Sequence, residues 1–344
     1  MKKKQLISLI IILIIITVTA SYYFINLGPV SNSNEKVDVT ISKGSSITKV
    51  ASMLKEKSLI KNKTVFMLYY KIHNLKFQAG KYTFMPSESV KDIASKLNHG
   101  EVSNTVTWLK LIEGHTLKNY ADKYSQVLSL NSEEVIKGLE DKAMLSEMIN
   151  KYWFLTKDIS KKGIYFPLEG YLFPDSYQVY YNSQIKDIVK KQLTNLEKKL
   201  EPFKTKIESE KLNVHEIITM ASLIEKEANS KEDRYMVAGV IKNRIDKKMT
   251  LGLDVTTYYA EQVEMGSVKD LTIAQYNASN DYNTRGPLVG YPIGPICNPS
   301  LESIEAALFP KETDNLYFFA EKSGKVHFSK TLEEHNIIKN KYKW

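Results

Sequence analysis

The sequence predicts an α+β protein carried on an N-terminal transmembrane helix, with a small α/β domain followed by a larger α+β domain. Three observations predict this. An uncharged apolar run extends from about Leu6 to Ile25, and a strand-turn-helix pattern recurs three times before residue 125. Beyond residue 208, segments of helical period alternate with Gly/Pro-rich loops and close in a short hairpin.

The apolar run is long enough to span a bilayer as a helix, and the cluster Lys2-Lys3-Lys4 before it places the N-terminus in the cytoplasm. Val18-Thr19-Ala20 has the small-residue spacing of a signal-peptide cleavage site, so removal of the segment is the rival reading. Apolar character continues through Tyr22, Tyr23, Phe24 and Ile25, which favours a retained anchor. Residues 1–26 are read as cytoplasmic stub and anchor, residues 27–36 as a polar linker, and the rest as extracytoplasmic. A formal charge of +9 over 344 residues ordinarily suggests nucleic acid. An extracytoplasmic domain meets none, and its anionic partners are wall phosphates and lipid head groups. Cys297 has no second cysteine to pair with, so packed cores must hold the fold.

Residues 37–125 carry the repeats. Ser46-Ile47 to Leu54, Ser89-Val90 to Leu97 and Thr116-Leu117 to Tyr124 each begin with a hydroxyl residue suited to cap a helix. Each then places apolar or aromatic residues at the first, fourth, fifth and eighth positions after it. The turns Lys43-Gly44, Pro86-Ser87 and Glu113-Gly114 precede them, behind the β-rich runs Val37–Ile41, Lys81–Phe84 and Val106–Ile112. The first two copies resemble LysM modules, which bind N-acetylglucosamine-containing glycans. A small α/β domain that only positions the next one is the alternative.

Residues 126–207 read as a lysine-rich helical connection, broken by an aromatic, Gly- and Pro-rich stretch from Gly163 to Tyr177. Those rings either line a glycan cleft or seat a loop on the core, and spacing does not separate the two. Residues 208–344 form the predicted chemical domain. In its helix His215–Ala228, Ile217, Ala221, Ile224 and Ala228 share one stripe at about 100° per residue, with Glu225 and Glu227 on opposite flanks. Residues two apart do not face each other on a helix, so the two carboxylates cannot share a proton and at most one meets a given bond. Partial desolvation on such a flank raises a carboxyl pKa, as a general acid near neutral pH requires. A solvated helix edge is the bland reading of the same pattern. No Gly-rich nucleotide loop, zinc spacing or activated Ser or Cys nucleophile is present, so neither a cofactor nor a metal is expected.

Met220 to Ala228, with Glu225-Lys226-Glu227, is followed by Asn243-Arg244, Asp254-x-Thr256, Tyr282-Asn283-Thr284 and Gly294-Pro295 to Pro299. Together with Glu169-Gly170 to Pro174-Asp175, these segments resemble the endolytic murein transglycosylase (YceG-like) family over nearly the whole chain. The resemblance implies a C-terminal lytic transglycosylase domain and peptidoglycan strands as substrate, with wall synthases as partners that no residue here identifies. It implies that the second glutamate, Glu227, is catalytic. Glu225, Asn243, Arg244, Asp254, Thr256, Tyr282 and Asn283 are then expected around the substrate, with Arg244 holding loops through charge-assisted hydrogen bonds. The chain departs from the family pattern at Gly252, Val255, Ile293 and Val326, the last of which shifts His327 by one position. A non-catalytic wall-binding scaffold and a hydrolytic muramidase are the alternatives in function.

Overall fold

Ser46, Ser89 and Thr116 all cap helices, as their spacing requires. Ser46 Oγ accepts from the Lys49 N–H, while Ser89 pairs reciprocally with Asp92 and Thr116 with Asn119. In the computed structural model, which describes residues 2–42, 44–100, 106–128, 130–180, 183–266, 270–321 and 323–342, they start the second, fourth and fifth helices. Lys43 of the first expected turn lies outside the described residues, while Gly44 and Gly114 take the left-handed conformation (φ 78° and 73°) that favours glycine.

The chain divides into two compact units, the first comprising Met1–Thr107 with Ser125–Asn131 and Gln178–Ser183. Its elements are α1 (Lys2–Leu27), β1 (Val37–Ile41), α2 (Ile47–Glu56), α3 (Lys63–Ile72), β2 (Gly80–Phe84) and α4 (Val90–His99). The two strands pair antiparallel, Val37 opposite Phe84 and Ile41 opposite Gly80. Val39, Ile41, Tyr82 and Phe84 point from this ribbon into a core closed by Val50, Leu54, Phe66, Ile93 and Leu97 of the helices. Ile7–Leu27 of α1 is long and apolar enough to cross a membrane.

The segment 27–36 is tied to the turn at 86–87. Leu27 packs on the first core, Ser31 N–H donates to the Pro86 carbonyl, and Ser87 donates from its amide to Ser33 and from its hydroxyl to Asn34. The turn at 86–87 offers polar groups that this segment satisfies, which the sequence of the segment alone does not reveal.

The second unit comprises Trp108–Tyr124, Ser132–Tyr177 and Gln184–Trp344. The elements from β3 onward are β3 (Val106–Lys110), α5 (Leu117–Leu128), α6 (Ser132–Leu139), α7 (Lys142–Lys151), β4 (Ser176–Tyr180), α8 (Ile185–Leu200) and α9 (Lys204–Ser209). They continue with α10 (Val214–Glu227), α11 (Lys231–Asp246), α12 (Asp254–Ala260), α13 (Ile273–Tyr276), α14 (Leu301–Leu308), the hairpin β5 (Tyr317–Ala320) and β6 (Val326–Ser329), and α15 (Leu332–Lys341). The third strand-turn-helix copy therefore contributes Trp108–Tyr124 to this unit, and β3 pairs with β4 rather than with β1 or β2.

Helix α10 runs through the middle of the second core, against α11, α12 and α14. It is buried on every side from Ile217 to Ile224, not along one stripe as its periodicity predicts, and Glu216 is exposed. Its polar members stay buried because each is paired. His215 bonds the Tyr171 hydroxyl through Nδ1 and the Ile293 carbonyl through Nε2, both at 2.8 Å. Ser222 Oγ accepts from the Ile296 N–H and donates to the Thr219 carbonyl.

Candidate active site

Glu227 is the last residue of α10, where four carbonyls at a helix C-terminus are left without intrahelical donors and carry partial negative charge. Its side chain keeps partial solvent exposure, yet the surrounding protein displaces enough water to push its carboxyl up to about 7. Burial is the main cause, with the nearby Asp254 carboxylate acting in the same direction and Lys226 against it. Among the described residues the Glu227 carboxylate has no hydrogen-bond or ion-pair partner. A half-buried acid that is protonated near neutral pH and uncommitted to its own protein is equipped to give a proton to a ligand.

Glu225, two residues earlier, is the opposite case. Its Oε2 accepts from the Ser300 N–H at 3.0 Å, the Ser300 hydroxyl at 2.5 Å and the Ser303 hydroxyl at 2.7 Å. Arg234 of α11 stands 3.6 Å from Oε1 and bridges onward to Glu302 at 2.7 Å. The carboxylate thus sits at the N-terminus of α14, whose unsatisfied N–H groups favour negative charge. Its side chain is 7% exposed. Its Oε2 fastens α14 to α10 through Ser300 and Ser303.

The other expected residues divide in the same way. Asp254 opens α12, is half exposed, and pairs with Arg285 at 3.2 Å. Arg285 also lies over the Tyr276 ring at 5.5 Å. Arg244 Nε donates to the Leu316 carbonyl and Nη1 to the Leu251 carbonyl, with the guanidinium 4.8 Å from the centre of Tyr317. Asn243 Nδ2 donates to the carbonyls of Thr313 and Asn315.

Thr256, Tyr282 and Asn283 are fully buried. Thr256 Oγ1 bonds Leu253, the Thr284 hydroxyl and the Thr284 N–H. Asn283 takes the Thr257 hydroxyl on Oδ1 and donates Nδ2 to the carbonyls between Gln275 and Ala278. Tyr282 packs tilted against both Tyr165 and Tyr259 and accepts the Tyr165 N–H. The polar atoms of these three and of the half-buried Asn243 are bonded within the protein. They shape the loops around Asp254. The aromatic stretch likewise seats itself on the core, with Leu168 and Tyr171–Phe173 buried and only Tyr165 and Phe166 partly open.

Sequence reasoning passed over Glu169 as a site residue. It is 1% exposed, and its oxygens accept from the Leu117 N–H at 2.8 and 3.1 Å, the Tyr259 hydroxyl at 3.1 Å and Asn298 Nδ2 at 3.2 Å. Burial pushes its carboxyl up to about 8 despite these donors. Glu169 ties the start of α5, the helix that carries Asp254, and the loop at Asn298 to one point. Asn298 in turn exchanges backbone bonds with His115 and Gly114, and Lys226 Nζ reaches the Gly114 carbonyl at 3.4 Å. Two signals of it stand in the sequence: a lone acid between Leu168 and Gly170 amid apolar residues, and its place in the Glu169-Gly170 to Asp175 segment.

The chain matches the YceG-like family over residues 39–341. It is 36% identical to the endolytic murein transglycosylase of Bacillus subtilis (strain 168) over 324 residues, covering 92% of this chain and 88% of that protein. It is 32% identical to the endolytic murein transglycosylase of Streptococcus pneumoniae serotype 2 (strain D39 / NCTC 7466) over 332 residues, which cover 92% of this chain and 60% of the relative. The 2.6 Å crystal structure of a yceG-like protein from Listeria monocytogenes superposes with a TM-score of 0.64 at 35% identity, covering 89% of this chain and 100% of that one.

Proposed function

The chain belongs to the YceG-like family, and from that premise we propose that it is a membrane-anchored endolytic lytic transglycosylase of peptidoglycan. Its bond would be the β-1,4 link from N-acetylmuramic acid to N-acetylglucosamine in nascent strands, its product a 1,6-anhydro end that terminates elongation. The relatives of the same name support the reaction class. The observation that carries the assignment within this chain is the contrast between the uncommitted Glu227 and the fully engaged Glu225.

Protonated Glu227 gives its proton to the glycosidic oxygen as the C1–O bond breaks. The resulting carboxylate then takes the proton of the muramic C6 hydroxyl, whose oxygen closes on C1. One acid returns to its starting state and no water is consumed. Hydrolysis would need a second carboxylate, about 5 to 5.5 Å away for retention or about 6.5 to 9.5 Å for inversion. Asp254, the carboxylate that acts on Glu227, is already paired with Arg285. On this reading the catalytic part begins before residue 208, since Leu117 and Glu169 hold its loops. The first unit serves as a LysM-like module, and α1 crosses the cell membrane once with its N-terminus in the cytoplasm.

The full chain is incubated with purified glycan strands, and the products are analysed by mass spectrometry. Anhydro ends are expected from the parent and from Glu225→Gln, and none from a folded Glu227→Gln. Reducing ends, one water heavier, would replace this reading with hydrolysis. Undiminished turnover in Glu227→Gln would remove the assigned acid.

A further inference from the structure

The end of α1 is held by the helix α3. Asn62, the N-cap of α3, donates Nδ2 to the Tyr22 hydroxyl at 2.9 Å, and Lys61 Nζ reaches the Ile25 carbonyl at 3.2 Å. Leu27 packs on the core of the same unit. The apolar stretch Ile7–Leu27 has 21 residues. At about 1.5 Å per residue that is about 32 Å of helix, against a hydrocarbon layer of about 30 Å. If α1 spans a bilayer, its last turns reach the head-group boundary. Tyr22 lies about 8 Å before Leu27 along the axis, so α3 begins at the depth of the interface.

The surface of α3 suits that depth. Leu68 and Ile72, one helical turn apart, are 44% and 61% exposed rather than turned to the core. Phe24 and Ile25 of α1 are exposed as well. From Lys55 to Lys76 the chain has six lysines and a single acid, Glu56. Exposed apolar residues on a lysine-rich segment match a helix lying among anionic head groups.

We propose that α3 is an interfacial helix, with Leu68 and Ile72 set among the acyl chains of an anionic bilayer, so that the first unit is seated on the membrane. The occupant of this surface is lipid because Leu68 and Ile72 stand on the helix whose cap holds the end of the apolar span, in a segment with six lysines and one acid. The proposal rests on the reading of α1 as a bilayer span.

The test uses the full chain in vesicles of phosphatidylcholine and phosphatidylglycerol, with a nitrobenzoxadiazole label on Ile72→Cys or on Ile15→Cys. Cys297 is buried, and burial pushes its thiol far up, so it takes no label. Lipid carrying a shallow doxyl group is expected to quench the label at position 72 at least about twofold, with aqueous iodide having little effect. A label at 72 open to iodide and untouched by doxyl lipid, while that at 15 is quenched by lipid, overturns the proposal and leaves the span intact. If neither label is quenched by lipid, the span itself is wrong and the proposal falls with it.

Discussion

Glu169→Gln changes how the fold responds to pH, and the size of the effect follows from the burial of the carboxyl. In the folded protein its pKa is about 8, against 4.5 for a free glutamate. A carboxyl with a raised folded pKa keeps its proton preferentially in the folded chain. Its contribution is complete below 4.5 and is lost as pH rises to and through 8. The gap of about 3.5 corresponds to about 5 kcal/mol at about 1.36 kcal/mol per pH unit, of which about 2 kcal/mol falls between about pH 6 and 8. Glutamine has no proton to lose, and its amide can accept from Leu117 while donating to the Tyr259 oxygen. Glu227, also raised, drains stability in the same direction, but it is present in both proteins and cancels in their difference if the sites do not couple. Urea unfolding of the parent and Glu169→Gln in micelles is compared at several pH values across this range. The parent is expected to lose about 2 kcal/mol more than the variant. Equal pH slopes would refute the assignment of Glu169 as a buried neutral acid.

Other substitutions read out the remaining parts of the site. Glu225→Ala removes the acceptor for Ser300 and Ser303 at the start of α14 and is expected to cost about 1–3 kcal/mol in denaturant unfolding, with turnover per folded molecule retained. Loss of turnover without loss of stability would return Glu225 to the chemistry. Asp254→Asn removes the like charge that helps raise Glu227, so the alkaline limb of the pH–rate profile, set near about 7 by loss of the acid's proton, moves to lower pH. A limb that stays in place would show that Asp254 does not act on the acid.

Much of the local structure was legible along the chain. The hydroxyl caps at Ser46, Ser89 and Thr116, the strand Val37–Ile41 and the helix around Glu225 and Glu227 depend on residues close in sequence, where capping and side-chain period act directly. The short helices α12 and α14 were not, because their boundaries depend on partners elsewhere. Thr284 meets Thr256 in α12, and Glu225 meets the N-terminus of α14. The segment 27–36 looked like a linker for the same reason, its partners lying at 86–87.

By itself the sequence determined the apolar span, the repeated caps, the family and a pair of candidate acids on one helix. Only the tertiary structure decided what separates those acids. Glu225 points to an N-terminus that donates to it, and Glu227 lies where burial and Asp254 oppose its charge and no donor among the described residues answers. Spacing along a helix sets the direction in which a side chain leaves the axis. The groups it meets there come from distant parts of the chain, and they determine whether its carboxyl is held in place or free to move a proton.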